Sequence, residues 1–180
     1  MVNKESRRLH AVPSGQSGNG WRCPAVSGRL AVAVTADDHA QGRPDAAFIL
    51  VQYGDYECPY TRRSLEDVEV VRAELGATLF WVFRNFPLTE IHPHALQAAE
   101  AAEAAGAQGR FWEMHAALFR NQKALTRGDL QRHAVDIGLD TEAFDADLGG
   151  GVHLERIQAD FDGGVRSGVG GTPTFFTNGH

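Results

Sequence analysis

The apolar positions fall into two textures along the chain. Phe48-Ile-Leu-Val-Gln-Tyr53 is a continuous apolar, β-branched run, and Thr78-Leu-Phe-Trp-Val-Phe83 is a second. Runs of this length without alternation suit strands buried on both faces. Between them, Leu65, Val68, Val71 (or Arg72) and Leu75 recur at helical spacing, with Pro59 fitted to a first helical turn and Gly76 to its end. Strand, helix and strand over 48–83 predict a right-handed parallel crossover. Leu30-Ala-Val-Ala-Val34 reads as a short edge strand, and Asp37–Asp45 as a turn broken by Gly42 and Pro44. After a loop bracketed by Pro87 and Pro93 the period changes to helical. Helices are predicted over Ala95–Ala105, over Phe111–Phe119, from a Thr126-x-x-Asp129 capping box to about Ile137, from Asp140 or Thr141 to Leu148, and over Val152–Phe161, ending at Gly163-Gly164. Gly170–Thr177 reads as a turn running into a strand, and Asn178-Gly179 as a hairpin signal.

Composition narrows the class. The 180 residues are 43% hydrophobic and 22% charged, which is a globular profile. Seventeen Lys+Arg against 23 Asp+Glu give a formal charge of −6, and no dense basic run is present, so a nucleic-acid coat is excluded. No apolar stretch approaches the ~20 residues of a membrane span. The polar start, with Arg7-Arg8 and no apolar h-region, is not a Sec signal, which makes the cytoplasm the default location. A flexible arm is expected over residues 1–29, with Trp21 and Cys23 as its compositional exceptions. Two cysteines are too few for a disulfide framework or a four-cysteine zinc site.

The chemistry concentrates at Cys58-Pro59-Tyr60-Thr61, where a buried strand turns into a helix. Unpaired N–H groups and the positive end of the helix dipole favour a thiolate there, and the thiolate is the reactive form. Asp55 and Glu57 oppose that charge, while Arg62 and Arg63 support it. The competing role for Cys58 is a buried structural thiol. Cys23, 35 residues upstream, is either an incidental cysteine or a resolving thiol on a mobile arm. His92, His94 and His115 lack the spaced partners of a tetrahedral metal site and are expected to cap and pack. Trp81, Trp112, Phe83, Phe111 and Phe119 are expected in the core, with a peptide groove as the alternative. Glu66-Asp67-Glu69 and Asp145/Asp147 read as solvated faces.

Five segments in order carry a resemblance: Tyr53–Tyr60, Phe83–Leu88, His92–Ala95, Phe111–His115 and Ser167–Phe176. Over roughly residues 31–178 the chain resembles the DsbA-like thioredoxin-fold oxidoreductases. The resemblance implies an α/β thioredoxin-like fold with a helical insertion: a first half over 30–93, the insertion over 94–166, and a return over 167–180. It implies a cis-proline at Thr172-Pro173 facing Cys58, where an extended substrate would pair. Thr172, Pro59 and Tyr60 are the candidate substrate contacts, with thiolate tuning and a filler role as the alternatives for Tyr60.

Two departures qualify it. Thr61 stands where the family carries its second cysteine, so a mixed disulfide on Cys58 would need an external thiol such as glutathione; Thr61 could still donate a hydrogen bond to the sulfur. The sequence also ends at His180, before the family's last strand and helix, which would leave an open strand edge and a route to self-association.

The expected activity is therefore monothiol thiol-disulfide exchange on a protein or glutathione substrate, with no cofactor and no metal. A non-catalytic binding module and a glutathione-dependent transferase or isomerase are the alternatives. DsbA-like proteins often act outside the cytoplasm, so the resemblance and the missing signal point to different compartments.

Overall fold

Four strands and six helices are laid out along residues 28–180, the part of the chain that this computed structural model describes. The expected arm up to residue 27, with Trp21 and Cys23, lies outside the described residues. The strands are β1 (His39–Gly42), β2 (Phe48–Gly54), β3 (Leu79–Asn85) and β4 (Thr174–Thr177). The helices are α1 (Pro59–Leu75), α2 (Ala95–Ala107), α3 (Phe111–Arg120), α4 (Arg127–Asp136), α5 (Thr141–Gly150) and α6 (Leu154–Arg166). A 3₁₀ turn, Gly76–Thr78, joins α1 to β3.

The sheet order is β1-β3-β2-β4. β2 and β3 run parallel in register from Phe48↔Leu79 to Gly54↔Asn85, as their unbroken apolar runs predict. β1 and β4 flank them antiparallel. All seven residues of β3 are buried. Alternation then divides the core: Leu79, Trp81 and Phe83 join one cluster with α1 to α5, while Phe80 and Val82 join a second with Val51, Tyr53, Phe86 and Phe176. The helix α6 serves both, giving Ile157 to the first and Phe161 to the second. This is a thioredoxin-like mixed α/β fold, with five helices between β3 and β4. No helix among the described residues is long and apolar enough to cross a membrane.

The local signals at α4 and α5 are realised as read. Thr126 and Asp129 form the capping box, and Asp140 accepts the amides of Glu142 and Ala143. Asn178 and Gly179 both take positive φ (49° and 84°), the geometry of the tight turn that their pair predicts.

Two expectations fail. The first concerns residues 30–34, which form no strand. Their backbone groups go elsewhere: the Leu30 amide to Gly179 O, the Ala31 amide to Ser167 Oγ, and the Val32 and Ala33 carbonyls to the Arg84 guanidinium. The first strand lies instead at His39–Gly42, inside the predicted turn, where pairing with β3 compensates for a sequence with no apolar alternation. Gly42 permits that pairing at φ 105°, and a Cβ there would fall 2.2 Å from Leu79 O. The second concerns Gly163-Gly164, which do not end α6. The helix continues to Arg166, and these glycines let it approach Val32, Tyr53 and Phe86 closely.

Candidate active site

β2 ends at Gly54, and Asp55-Tyr56-Glu57 turn the chain into Cys58, the N-cap of α1 (φ −72°, ψ 120°). Pro59 follows at the first helical position. Cys58 is 3% exposed. Its Sγ donates to the carbonyl oxygen of Thr172 at 3.3 Å. Thr172–Pro173 is a cis peptide immediately before β4, so the fold brings together two segments 114 residues apart. The side chain of Cys58 makes no hydrogen bond to the amides of α1. The helix end that the sequence argument places under the sulfur charge is present, but in this thiol geometry the sulfur's partner is a carbonyl.

Thr61 is fully buried, and its Oγ1 accepts the Asp55 amide at 3.4 Å rather than meeting Sγ. Beneath it a buried polar chain ties α1 to the sheet: Ser64 Oγ donates to Thr61 O, Gln52 Nε2 to Ser64 Oγ, and Trp81 Nε1 to Gln52 Oε1. Pro59 and Tyr60 are exposed at the rim, Tyr60 at 70%.

Sequence reasoning missed what holds the turn. Asp55, 1% exposed, is its hub. Oδ1 accepts the amides of Glu57 (2.7 Å) and Cys58 (3.2 Å), and Oδ2 accepts the Leu88 amide and meets His92 Nδ1, both at 2.8 Å. Glu57 repeats the pattern with His94, through its amide at 2.6 Å and Nδ1 at 2.9 Å. The Tyr56 hydroxyl meets His115 Nδ1 at 3.2 Å, and Gln122 Nε2 donates to the carbonyls of Tyr56 and Cys58. Both carboxylates read as opposing the thiolate are thus engaged by amides and imidazoles. The three histidines each pair with a residue of the cysteine turn. Among the described residues no three of His, Cys, Asp and Glu converge to hold a metal ion. The signal was in the sequence, since Tyr53–Tyr60 and His92–Ala95 are two of the five matching segments, but nothing local says which residue meets which.

Burial tunes the Tyr56–His115 pair. Desolvation raises the Tyr56 phenol well above its ordinary 10, with Glu103 and Asp160 adding to the effect. Desolvation, with the His39 charge, lowers His115 to about 3. Both are neutral near pH 7, and the phenol keeps its proton.

The family model described as thioredoxin matches residues 34–180. The chain belongs to the thioredoxin family. Among solved structures, this thioredoxin-family chain is similar to a thioredoxin-like oxidoreductase from Silicibacter pomeroyi DSS-3, with a TM-score of 0.72 and 27% identity over 81% of this chain and 83% of that one. It also shares the fold of the thiol-disulfide exchange protein alpha-DsbA2 from Wolbachia pipientis, with a TM-score of 0.69 and 19% identity over 79% and 77% of the two chains. The fold that the five segments imply is thus shared with these structural neighbours. A curated relative, the Na(+)/H(+) antiporter NhaA 1 of Mycolicibacterium gilvum (strain PYR-GCK), is 46% identical over 146 residues, which are 79% of this chain and 23% of that protein. This thioredoxin-family chain therefore spans under a quarter of the length of that relative.

Proposed function

We propose that this domain carries out monothiol thiol-disulfide exchange through Cys58. The observation that carries the reading is the 3.3 Å approach of Cys58 Sγ to Thr172 O beside the cis Thr172–Pro173 peptide. The Cys58 thiol first loses its proton to solvent. Its thiolate then attacks the glutathionyl sulfur of a protein–glutathione disulfide; the old S–S bond breaks and the protein leaves as thiolate. A glutathione thiolate attacks that same glutathionyl sulfur, now bonded to Cys58. Oxidised glutathione leaves and the Cys58 thiolate returns, so one glutathione thiolate is consumed for each protein thiolate released and the number of disulfides is unchanged. Deprotonation removes the hydrogen that bonds Sγ to Thr172 O and sets a carbonyl dipole against the sulfur charge. Attack is therefore coupled to a shift of the 170–173 loop, and the helix end stabilises the freed charge. Tyr60 and Pro59, exposed at the rim, are the first surface a substrate meets.

A second reading, a binding module without turnover, is favoured by the burial of Cys58 and by the antiporter relative, of which this chain matches a small part. In that reading the domain is a recognition module of a larger transport protein.

Alkylation against pH separates the two. In a Cys23→Ser background, Cys58 should react with iodoacetamide at neutral pH faster than a free cysteine, and incubation with oxidised glutathione should add one glutathionyl group by mass. Cys58→Ser should abolish both. A rate no faster than that of free cysteine, with no adduct, rejects exchange and leaves the binding module.

A further inference from the structure

The turn that carries Cys58 is tied to the helices between β3 and β4 through Tyr56, whose hydroxyl meets His115, and through Gln122 in the loop 121–126 between α3 and α4. Gln122 Nε2 lies 2.8 Å from Tyr56 O and 2.9 Å from Cys58 O. One side-chain nitrogen thus spans the two carbonyls on either side of Glu57, across 66 and 64 residues of chain. Carbonyl oxygens only accept, so the nitrogen of the amide must face them, and both its hydrogens are used there.

The loop is built to hold that amide still. Leu125 is 2% exposed, the Ala124 carbonyl meets His133 Nε2 of α4 at 3.0 Å, and Asn121 Nδ2 donates to Ala117 O of α3 at 2.8 Å. Gln122 is therefore anchored from both helices. Asp55 takes the amides of the cysteine turn, and Gln122 covers its carbonyls. The Cys58 carbonyl also accepts the Arg62 amide at 3.2 Å, which opens the ladder of α1. By covalent geometry alone that oxygen stands within about 5 Å of its own Sγ, so its negative end acts on any charge the sulfur carries.

We propose that Gln122 is a positioning residue for exchange: its amide fixes the start of α1 and covers the two carbonyl dipoles that would otherwise oppose the Cys58 thiolate. The inference rests on Cys58 being the reacting thiol. A covered carbonyl turns its negative end to an N–H; a bare one stands against the sulfur charge and frees the first turn of the helix to tilt. Other charged groups near the turn are Asp55 and Glu57 with their partners His92 and His94, Arg62 and Arg63 of α1, and Lys123 beside Gln122. All of them stay unchanged in the test.

In the full chain carrying Cys23→Ser, the rate at which iodoacetamide alkylates Cys58 is followed across pH, with thermal midpoints recorded alongside. Gln122→Met keeps the length of the side chain and loses both donors. Its alkylation midpoint should rise by about 0.5 pH unit, which is about threefold in rate below the midpoint. Gln122→Lys restores donors with a positive charge and should return the midpoint to that of the parent or below it. A merely structural Gln122 would lower the thermal midpoint and leave the pH profile in place. That outcome, or a lysine variant whose profile stays with that of the methionine variant, overturns the proposal. If Gln122→Met does not fold, Gln122→Glu replaces it; a carboxylate without a donor should raise the midpoint further, and an unmoved profile there overturns the proposal equally. Alkylation reads ionisation whether or not glutathione adds. A chain that takes no glutathionyl group therefore sinks the exchange reading, and an unmoved pH profile sinks the role of Gln122.

Discussion

At the residue scale, the cysteine turn is defined by its partners more than by its own side chains. Asp55 is buried and satisfies three amides and one imidazole. Asp55→Ala would leave those donors unmatched, and should cost about 3–5 kcal/mol, the penalty for breaking a buried charged network. Urea denaturation measures it, and a loss under 1 kcal/mol would show that the turn holds itself. Thr61 gives the complementary test. Its hydroxyl contributes one long hydrogen bond, so Thr61→Cys should cost only about 1 kcal/mol and restore a two-thiol motif. That variant should reduce insulin disulfides faster than the wild type, and equal rates would mean that the missing resolving thiol is not what limits turnover. The place of Cys58 at a strand end and helix start, and of Thr172-Pro173 before the last strand, was legible in the sequence because these are local or motif-borne signals, whereas the Thr61 hydroxyl meets the Asp55 amide rather than the sulfur. The pairings Asp55–His92 and Glu57–His94 were not legible, because each spans 37 residues and no pattern links a carboxylate to one imidazole among several.

At the element scale, apolar period and caps fixed most helices and the two central strands within a few residues. They failed where an element's register is set from outside. His39-Ala-Gln-Gly42 has no strand pattern and becomes one by pairing with β3. Gly163-Gly164 look like a helix stop and are contact points. A Cβ at position 164 would stand 2.7 Å from two ring carbons of Phe86, itself 1% exposed and held between Tyr53 and Phe161. Gly164→Ala should therefore destabilise the fold by about 1–3 kcal/mol through overpacking, despite alanine's better helix propensity. A thermal midpoint at or above that of the wild type would show that α6 can slide away from the sheet.

At the scale of the whole molecule, two buried groups of opposite habit shape the response to pH. Desolvation chiefly, with Glu103 adding and Asn85, Arg156 and Arg84 opposing, raises Asp160 from 3.8 to about 6. His115 falls from 6.5 to about 3. Between about pH 4.5 and 6 the folded chain holds a proton on Asp160 that the unfolded chain has released, so this group's stabilisation is lost as pH rises. Over the same range the unfolded chain holds a proton on His115 that the folded chain lacks, so stability is gained as pH rises. The slopes, at most about 1.4 kcal/mol per pH unit each, oppose one another. Asp160→Asn removes the falling one, so its stability should climb more steeply from pH 4.5 to 6 than that of the wild type. Urea midpoints across that range decide it; parallel profiles for the two proteins would sink the assignment. Such coupling lies beyond any reading of the sequence, and the meeting of the Thr172-Pro173 loop with Cys58 was legible only through the family resemblance. The sequence by itself determined where the two central strands and most helices form, that Cys58 caps a helix, and that a Thr-Pro turn precedes the last strand, because period, caps and turn residues act over a few neighbours. Only the tertiary structure decided that Thr172 O lies on Cys58 Sγ, that Arg84 gathers residues 32 and 33, and that Asp55 and Glu57 find their histidines. Buried polar groups take whichever partner the packed chain brings within 3 Å, and the chain distance to that partner is unconstrained.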